Sequence, residues 1–399
     1  MSNTIDEWMN VASGDGWQWY VKYLAGNDTL LTKAHQAGPY IPKALAFDVF
    51  PSIATGADIA RAKVKALIDS HGEEREPTMI WYKSKNECHF TGWGGKQSKL
   101  LDPDNTGALT VFAFYRKEGK DAELCRIWIA RDLDEEEAIL ALVGPVEPGR
   151  GIIFQAGINP PKDHHAEDEP KDSSCALSED EIPKDWLYRW PSVATIVQFA
   201  TDKLPTSKKN PPDQRLLRRH DCEFEIFLSV ERAVYLPRIK EKFETVQLFV
   251  NFANTVLQRR KSRHGASLQL HTKAIFDEEQ LPYSYNEESE GGKKPDFLFP
   301  SGAAYQDQAF PLKKLRMLAV KTTCKDRWRQ VLDEAQRLKT KHLLTLQQGV
   351  SPKQYAQMKT AGVVLVVPQA IHKTFAEELR PELLTLEQFI ASTKATSAK

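Results

Sequence analysis

The spacing of hydrophobic and polar positions changes near the middle of the chain. In the first part, apolar residues come in short runs, such as 79–82, 108–115 and 124–130, which Gly, Pro, Asn and Asp separate. Short apolar runs between turn-forming residues are typical of β-strands. We therefore expect a β-rich barrel or sandwich over residues 1–155.

From residue 186 onward the spacing becomes helical. Residues 232–256 place apolar side chains at intervals of three and four, which predicts a long helix. After residue 294, short apolar strands alternate with helical segments, which is typical of a mixed α/β domain. The sequence thus predicts a second structural unit over residues 186–399.

A polar segment, residues 156–185, separates these two units. Between 159 and 185 it holds four prolines and nine carboxylates and has few apolar residues. Such a composition buries too little apolar surface to offset the entropy lost on ordering. We expect an acidic, proline-rich linker that lets the two units move relative to each other.

The composition is that of an ordinary folded protein. Of 399 residues, 41% are hydrophobic and 27% are charged. The chain has no apolar run long enough to cross a membrane, and residues 1–7 are polar and acidic, so we expect a cytoplasmic protein. The five cysteines form no CxxC pair, and we expect all of them to be reduced. These cysteines are Cys88, Cys125, Cys175, Cys222 and Cys324.

Charge is segregated along the chain although the formal net charge is zero. Residues 1–150 hold 17 Lys and Arg against 22 Asp and Glu, whereas residues 186–399 hold 34 against 23. An excess of positive charge attracts polyanions. Nucleic acid is therefore a leading partner class for the C-terminal unit.

Two carboxylates and a lysine form the strongest candidate for chemistry. Asp296 precedes one short apolar run and Lys321 follows another, so the two side chains meet if the runs pair as strands. A helix predicted over 326–339 carries Glu334 at the edge of its apolar stripe, where its carboxylate leans toward the sheet. We expect these three side chains to converge.

This combination suits hydrolysis of phosphodiesters. Carboxylate oxygens bind hard divalent ions such as Mg²⁺, which polarise a phosphate and lower the pKa of a bound water. A lysine stabilises the charge that develops on the phosphate. Each residue also has an ordinary structural role open to it: a strand-end cap for Asp296, a surface lysine for Lys321 and a helix ion pair for Glu334.

The residues around this candidate site resemble those of the EcoRII-type restriction endonucleases, a branch of the PD-(D/E)XK nucleases. The resemblance is carried by GKKPDFLFPS (292–301), LRMLAVKTTCKDRWRQVLDEA (315–335), QRRKSR (258–263) and DPDNTGALT (102–110), and it covers most of the chain. It implies a multidomain protein: an N-terminal β pseudobarrel similar to B3 DNA-binding domains, followed by a C-terminal α/β restriction-endonuclease-like domain.

The resemblance also assigns the second acid. In the wider superfamily an acid stands two residues before the lysine, but that position is Ala319 here. The EcoRII-type branch places it thirteen residues after the lysine, which is Glu334. The resemblance therefore implies that Asp296, Lys321 and Glu334 are catalytic, that Asp296 and Glu334 bind Mg²⁺, and that Tyr305 lies near the active centre.

One position departs from the family pattern. Gln269 stands where relatives carry a glutamate. An amide is a weaker metal ligand than a carboxylate and does not accept a proton at neutral pH. We expect this change to weaken binding of a second ion and to slow cleavage.

The resemblance places DNA contacts in both units. Lys325, Asp326 and Arg327 are expected to read bases, since Lys and Arg donate to guanine and Asp accepts from cytosine. Phosphate contacts in the C-terminal domain are expected from Arg219, Arg259, Arg260, Lys261 and Arg263. Two polar arms of the N-terminal effector domain are expected to grip DNA through Lys33, His35, Gln36, Tyr40, Lys83, Lys85, Trp93 and Lys96.

The implied function is that of a type IIE restriction endonuclease. It would cut double-stranded DNA at CCWGG, where W is A or T, as a homodimer formed through the C-terminal domain. A second DNA copy at the effector domain would relieve autoinhibition, and a cognate cytosine methyltransferase is expected in the system but not as a bound subunit. One alternative is a DNA-binding regulator that has lost cleavage, with Gln269 as its sign. Another is a nuclease for RNA or structured DNA, which would cut without duplex sequence preference.

Overall fold

A computed structural model of the chain describes residues 4–32, 38–54, 59–155, 175–204 and 210–398. It confirms the change in texture that the apolar spacing predicts. The N-terminal half is rich in β-strands, and the C-terminal half is a mixed sheet surrounded by helices.

Some strands of the N-terminal half alternate buried and exposed side chains, whereas others, such as the strand over residues 109–115, are buried along almost their whole length. In residues 87–91, for example, Cys88 and Phe90 are buried while the three residues between and beside them are partly exposed. The strands are β1 Trp17–Tyr23, β2 Tyr40–Ile41, β3 Ile59–Lys63, β4 Lys65–Ile68, β5 Glu73–Arg75, β6 Thr78–Tyr82, β7 Glu87–Thr91, β8 Leu109–Tyr115, β9 Leu124–Ile129 and β10 Ile152–Gln155. The helices are α1 Ile5–Val11, α2 Lys43–Val49, α3 Pro51–Ala54 and α4 Leu133–Val143.

These strands form two sheets within the described residues. One has the order β10-β1-β8-β9-β4-β5 and the other has the order β2-β7-β6-β3. Aromatic and aliphatic side chains from both sheets and from α2 fill a common core, including Phe112, Phe114, Trp81 and Phe90. Helices α1 and α4 cover the outer face of the larger sheet, where Trp8, Trp19 and Trp128 pack together.

The C-terminal half is built on one sheet of order β11-β12-β13-β14-β15. Its first three strands are antiparallel, and β13, β14 and β15 are parallel. The strands are β11 Ser284–Tyr285, β12 Phe297–Phe299, β13 Arg316–Val320, β14 Lys341–Leu344 and β15 Val363–Val366. The helices are α5 Lys184–Tyr188, α6 Val193–Lys203, α7 Pro212–Lys240, α8 Val246–Glu278, α9 Gly302–Gln306, α10 Pro352–Thr360 and α11 Leu386–Ala398.

The long helix predicted over 232–256 is wrong as a single element. Helix α7 ends at Lys240, and Glu241 has an extended backbone. Helix α8 begins after Thr245, whose side chain accepts a hydrogen bond from the backbone N–H of Leu248. This N-cap starts a new helix. Among the described residues, no helix is long and apolar enough to cross a membrane.

The end of the predicted linker is folded onto the C-terminal half. Cys175 forms a disulfide with Cys222 of α7, and Ile182 and Trp186 are buried beside it. The expectation that all five cysteines are reduced is therefore wrong for this pair, because folding brings together two residues that are 47 positions apart. The remaining three cysteines are buried and free. Residues 156–174 of the linker lie outside the described residues.

The two halves share an interface. The backbone N–H of Gly26 donates to the carbonyl oxygen of Gln348 at 2.7 Å. Leu31 of the N-terminal half belongs to the apolar core of the C-terminal half. Glu147 accepts a hydrogen bond from Arg263 at 2.6 Å, and both side chains are buried. The N-terminal half is thus docked on the C-terminal half by backbone, apolar and ionic contacts.

Candidate active site

Two neighbouring strands of the C-terminal sheet bring Asp296 and Lys321 together. Strands β12 and β13 are antiparallel, so the residue before one lies near the residue after the other. The backbone N–H of Val320 donates to Asp296 Oδ2 at 2.7 Å. Burial raises the pKa of Asp296, and the charge of Lys321 and the Val320 bond oppose the rise. The expected meeting of the two strand ends is confirmed.

The second oxygen of Asp296 is held by Gln269 from α8. Gln269 Nε2 donates to Asp296 Oδ1 at 2.7 Å, and the Tyr285 hydroxyl donates to Gln269 Oε1 at 3.2 Å. A carboxylate accepts only, so the amide nitrogen must face it. Gln269 is therefore a hydrogen-bond donor to the first acid of the site in this structure.

Glu334 reaches the same site by a different backbone path from the one predicted. The α-helix expected over 326–339 is wrong: Arg327–Asp333 is a 3₁₀-helix, and Glu334 follows it with an extended backbone. Ala335 then has a left-handed φ of 45°. The apolar stripe predicted the wrong type of helix, because side chains spaced by three and four also fit a short 3₁₀ segment that ends in a turn.

The electrostatics show that Glu334 lies close to both other residues. Burial raises the pKa of Glu334 to about 7; Lys321 opposes the rise, and the Asp296 charge adds to it. Glu334 Oε2 is buried and has no hydrogen-bond partner among the described residues. A buried carboxylate beside a partly buried one whose pKa is raised, with one unsatisfied oxygen, suits a bound cation.

Lys341 holds the turn that carries Glu334, and the sequence analysis missed it. This buried residue begins β14. Its Nζ donates to the carbonyl oxygens of Glu334, Ala335 and Leu338, the last two at 3.1 and 3.3 Å. A buried lysine is rare unless it is paired, and three carbonyl acceptors satisfy all its N–H groups. A lysine opening an apolar strand was the only signal in the sequence.

Tyr305 lies behind the same turn. Its hydroxyl donates to Glu290 at 2.6 Å and accepts from the backbone N–H of Arg337 at 3.2 Å. The Arg337 guanidinium also donates to the Tyr305 carbonyl oxygen. The side chain is buried, and burial raises the pKa of its hydroxyl. In this structure Tyr305 anchors the turn that follows Glu334.

The segment expected to read bases faces the N-terminal half. Arg327 Nη2 donates to Glu136 Oε1 at 3.0 Å, and the Tyr23 hydroxyl donates to the same oxygen at 3.0 Å. Burial lowers the pKa of Lys325, and the carboxylates of Asp326 and Glu136 are the first charges that oppose this. Asp326 itself pairs with a neighbouring arginine rather than capping the 3₁₀-helix.

Most basic residues of helices α7 and α8 are already paired. Arg263 bonds both Glu223 and Glu147 and is 2% exposed. Arg219 is equally buried and donates to Glu278, and Arg260 pairs with Glu231. The Arg259 guanidinium lies over the Trp190 ring at 4.5 Å.

Only part of this basic cluster is available as predicted. Lys261 is exposed. In this conformation the guanidinium groups of Arg219 and Arg263 are buried against carboxylates, and their contact with phosphate stays a prediction. The cluster lies in the middle of α8.

The arms of the N-terminal half are described in part. Lys33, His35 and Gln36 lie outside the described residues. Tyr40 is exposed and contacts the His89 ring edge-on, and Lys83, Lys85 and Lys96 are exposed. Trp93 is buried in this structure, and its Nε1 donates to the Phe90 carbonyl oxygen at 2.7 Å, so its contact with DNA stays a prediction.

Comparison with known proteins decides the family. Residues 13–157 match the family described as restriction endonuclease EcoRII, N-terminal, and residues 227–390 match EcoRII C terminal. The chain is 40% identical over 402 aligned positions to the type II restriction enzyme EcoRII of Escherichia coli, covering 98% of this chain and 97% of that protein. The chain belongs to the EcoRII family of type II restriction enzymes.

Two solved structures also align with parts of this EcoRII-family chain. Metal-depleted Ecl18kI in complex with uncleaved DNA matches 53% of this chain and 80% of its own, with 19% identity and a TM-score of 0.43. The B3 domain of the UbaLAI restriction endonuclease with cognate DNA matches 38% of this chain and 98% of its own, with 18% identity and a TM-score of 0.27.

Proposed function

We propose that this restriction enzyme hydrolyses double-stranded DNA at CCWGG with Mg²⁺ bound by Asp296 and Glu334. The observation that carries the proposal is the convergence of the buried Asp296 and the partly buried Glu334 on Lys321, with the buried oxygen Oε2 of Glu334 left unsatisfied. Across the described residues no group of three or more His, Cys, Asp or Glu side chains could hold a metal. Two carboxylates leave the remaining ligand positions to phosphate and water, as Mg²⁺ prefers.

Each residue of the site then has a role. When bound, Mg²⁺ supplies charge that polarises the scissile phosphate and acidifies a water. Asp296 presents an oriented carboxylate, because Val320 and Gln269 fix its oxygens. Lys321 offsets negative charge at the reacting phosphate. Glu334, with a pKa of about 7, would hold the ion in its deprotonated form.

The proposed base contacts come from Lys325, Asp326 and Arg327, and Lys261 supports the backbone of the duplex. In the N-terminal half, four residues are exposed: Tyr40, Lys83, Lys85 and Lys96. They can contact DNA while this half stays docked on the C-terminal half. His89, which the sequence analysis did not select, is half-buried between the rings of Tyr40 and Tyr82. We include His89 in the proposed effector surface, together with the predicted Lys33, His35 and Gln36.

The active form is proposed to be a homodimer through the C-terminal domain, because cutting both strands of a near-palindromic site requires two copies of the catalytic residues. The hairpin between α7 and α8 exposes Ile239, Val246 and Phe249, which suits a self-complementary contact. Sedimentation of Phe249→Glu tests this: it should be monomeric. We further propose a cytoplasmic enzyme, paired with a cognate cytosine methyltransferase that is not a bound subunit.

Autoinhibition by the N-terminal half is supported by the DNA-binding cations of the C-terminal half that it covers. Glu136 accepts a hydrogen bond from Arg327. The negative charges of Asp102 and Asp104 raise the pKa of Lys325 against the effect of burial. Carboxylates thus stand beside the cations that we assign to DNA. A second DNA copy bound at the effector domain would release these contacts, which is type IIE behaviour.

The decisive experiment is digestion of plasmids with zero, one or two CCWGG sites in Mg²⁺, with Lys321→Ala as the inactive control. We expect cutting only at CCWGG, faster with two sites than with one, and lost in Lys321→Ala. Tight CCWGG binding without cleavage by the unmutated protein would instead support the regulator alternative. Cutting without duplex sequence preference would support the third alternative, an RNA or structured-DNA nuclease.

Autoinhibition has its own test in Gly26→Ala. The backbone of Gly26 is not left-handed, and within the N-terminal half an added Cβ meets only the flexible end of the Leu31 side chain at 3.1 Å, but it would overlap the Thr374 carbonyl oxygen of the C-terminal half. We expect faster cleavage of a one-site plasmid. Gly265→Ala is the matched control, because the added methyl meets nothing within 4 Å. Equal one-site rates in the two variants would contradict autoinhibition by docking.

A further inference from the structure

The loop that follows β13 is held from behind by one buried side chain. Gln347 is 1% exposed, and its Oε1 accepts hydrogen bonds from the backbone N–H groups of Cys324 at 2.7 Å and Lys325 at 2.8 Å. Its Nε2 donates to the Gly349 carbonyl oxygen at 2.8 Å. The amide is thus oriented by a pair of donors on one side and an acceptor on the other.

A second amide completes the clamp. Gln354, at the start of α10, donates through Nε2 to the Lys325 carbonyl oxygen. The peptide groups on both sides of Lys325 are therefore fixed by side chains from outside the loop. The next two residues, Asp326 and Arg327, begin the 3₁₀-helix from this fixed point.

We infer that Gln347 is a positioning residue that sets sequence discrimination by orienting Lys325, Asp326 and Arg327 toward the bases. The inference rests on the proposed function, in which these three residues read DNA. Bidentate base contacts tolerate little displacement, so the backbone that carries them must be rigid. Without the Gln347 acceptor, two buried N–H groups lose their partner, and the loop must move to satisfy them.

The N-terminal half contacts the same amide. A Cβ added to Gly107 would lie 2.5 Å from Gln347 Nε2, so the glycine permits a close approach. A change at Gln347 could therefore act on docking as well as on the loop. The experiment must separate these two effects.

The test compares Gln347→Met with Gln347→Glu. Methionine has a similar length but no strong acceptor, whereas glutamate keeps an acceptor for both N–H groups, loses the donor to Gly349 and adds a negative charge that the two N–H groups partly compensate. The measurement is affinity for a CCWGG duplex and for a duplex with one base pair changed, in Ca²⁺ at fixed salt. We expect the cognate-to-changed ratio to fall at least tenfold in Gln347→Met and less than threefold in Gln347→Glu.

An unchanged ratio in folded Gln347→Met would overturn the inference. So would faster one-site cleavage with intact discrimination, the pattern expected of Gly26→Ala, because it would assign Gln347 to docking. If Gln347→Met does not fold, Gln354→Ala replaces it, and an undiminished ratio there also overturns the inference. If the wild-type protein does not prefer CCWGG, the proposed specificity is contradicted as well. If wild type prefers CCWGG and only the expected differences between the variants are absent, the inference on Gln347 is overturned and the proposed specificity stands.

Discussion

At the scale of single residues, Gln269 shows what sequence can and cannot predict. Its identity correctly marks a position where the charge of a carboxylate is missing near the site. The direction of its amide depends on Tyr285 and Asp296, which are distant in sequence. Only the fold shows that the nitrogen faces Asp296, so that Gln269 orients an acid in this state.

Gln269→Glu should make the protein more dependent on metal. The substitution places a second carboxylate within hydrogen-bond distance of Asp296 and removes a donor, which we expect to cost about 1–3 kcal/mol of stability without metal. Mg²⁺ between the carboxylates would offset this repulsion. Thermal unfolding should therefore show a larger Mg²⁺-induced rise in Tm than in wild type. Gln330→Glu, at an exposed position, is the control, and an equal rise in all three proteins would contradict the prediction.

Glu334 should make the stability of the metal-free protein depend on pH. Its pKa is about 7 in the folded state against an ordinary value of 4.5. The folded state then binds more protons between these values, so its stability falls as pH rises from about 4.5 to about 7. Glu334→Gln lacks this proton and should gain in Tm relative to wild type over that window in EDTA. A Tm difference that stays constant from pH 4.5 to pH 8 would contradict the assignment.

At the scale of elements, local pattern predicted strands well and the segment after β13 poorly. The apolar run that follows Asp296 is strand β12, and the run that precedes Lys321 is strand β13. The two strand ends meet as expected. The following segment has a helical stripe, yet it is a 3₁₀-helix and a turn. The turn is held from the next element, because Lys341 at the start of β14 donates to the carbonyl oxygens of Glu334, Ala335 and Leu338. The spacing of apolar residues gives no information about such hydrogen bonds.

Lys341→Met should loosen this turn. Methionine retains the apolar stem but leaves three buried carbonyl oxygens without the ammonium, which we expect to cost about 2–4 kcal/mol. Glu334 then loses its fixed position, so kcat should fall more than tenfold while DNA affinity in Ca²⁺ changes less. Denaturant unfolding and single-turnover cleavage measure the two effects. The control is Lys339→Met at an exposed position, which should change neither the free energy of unfolding nor kcat. A kcat of Lys341→Met equal to that of wild type would contradict the positioning role.

At the scale of the whole molecule, charge segregation predicted the partner class but not how the two halves meet. The acidic N-terminal half and the basic C-terminal half contact each other through Glu136 with Arg327 and Glu147 with Arg263. Counting charges cannot reveal these pairs, since they join residues more than one hundred positions apart. Arg327 and Arg263, two of the cations that favour nucleic acid as a partner, are covered by protein carboxylates in the docked state.

Glu147→Gln should weaken docking at neutral pH. Burial raises the pKa of Glu147, but His264 and Arg263 lower it more, so that it lies well below the ordinary 4.5. A depressed pKa stabilises the docked state above about pH 4.5, and this contribution is lost as pH falls toward the folded pKa. At pH 7.5 the variant should lose about 2–3 kcal/mol of stability and cut a one-site plasmid faster.

Thermal unfolding and one-site digestion of Glu147→Gln check both effects, with the exposed Glu118→Gln as control. The Tm difference from wild type should shrink as pH falls below 4.5, because protonation of wild-type Glu147 removes the same charge. Arg263 keeps its bond to Glu223 in the variant, so the α7–α8 pair remains intact while the link between the halves is lost. Loss of stability without faster one-site cleavage would show that the ionic link supports the fold but does not restrain the enzyme.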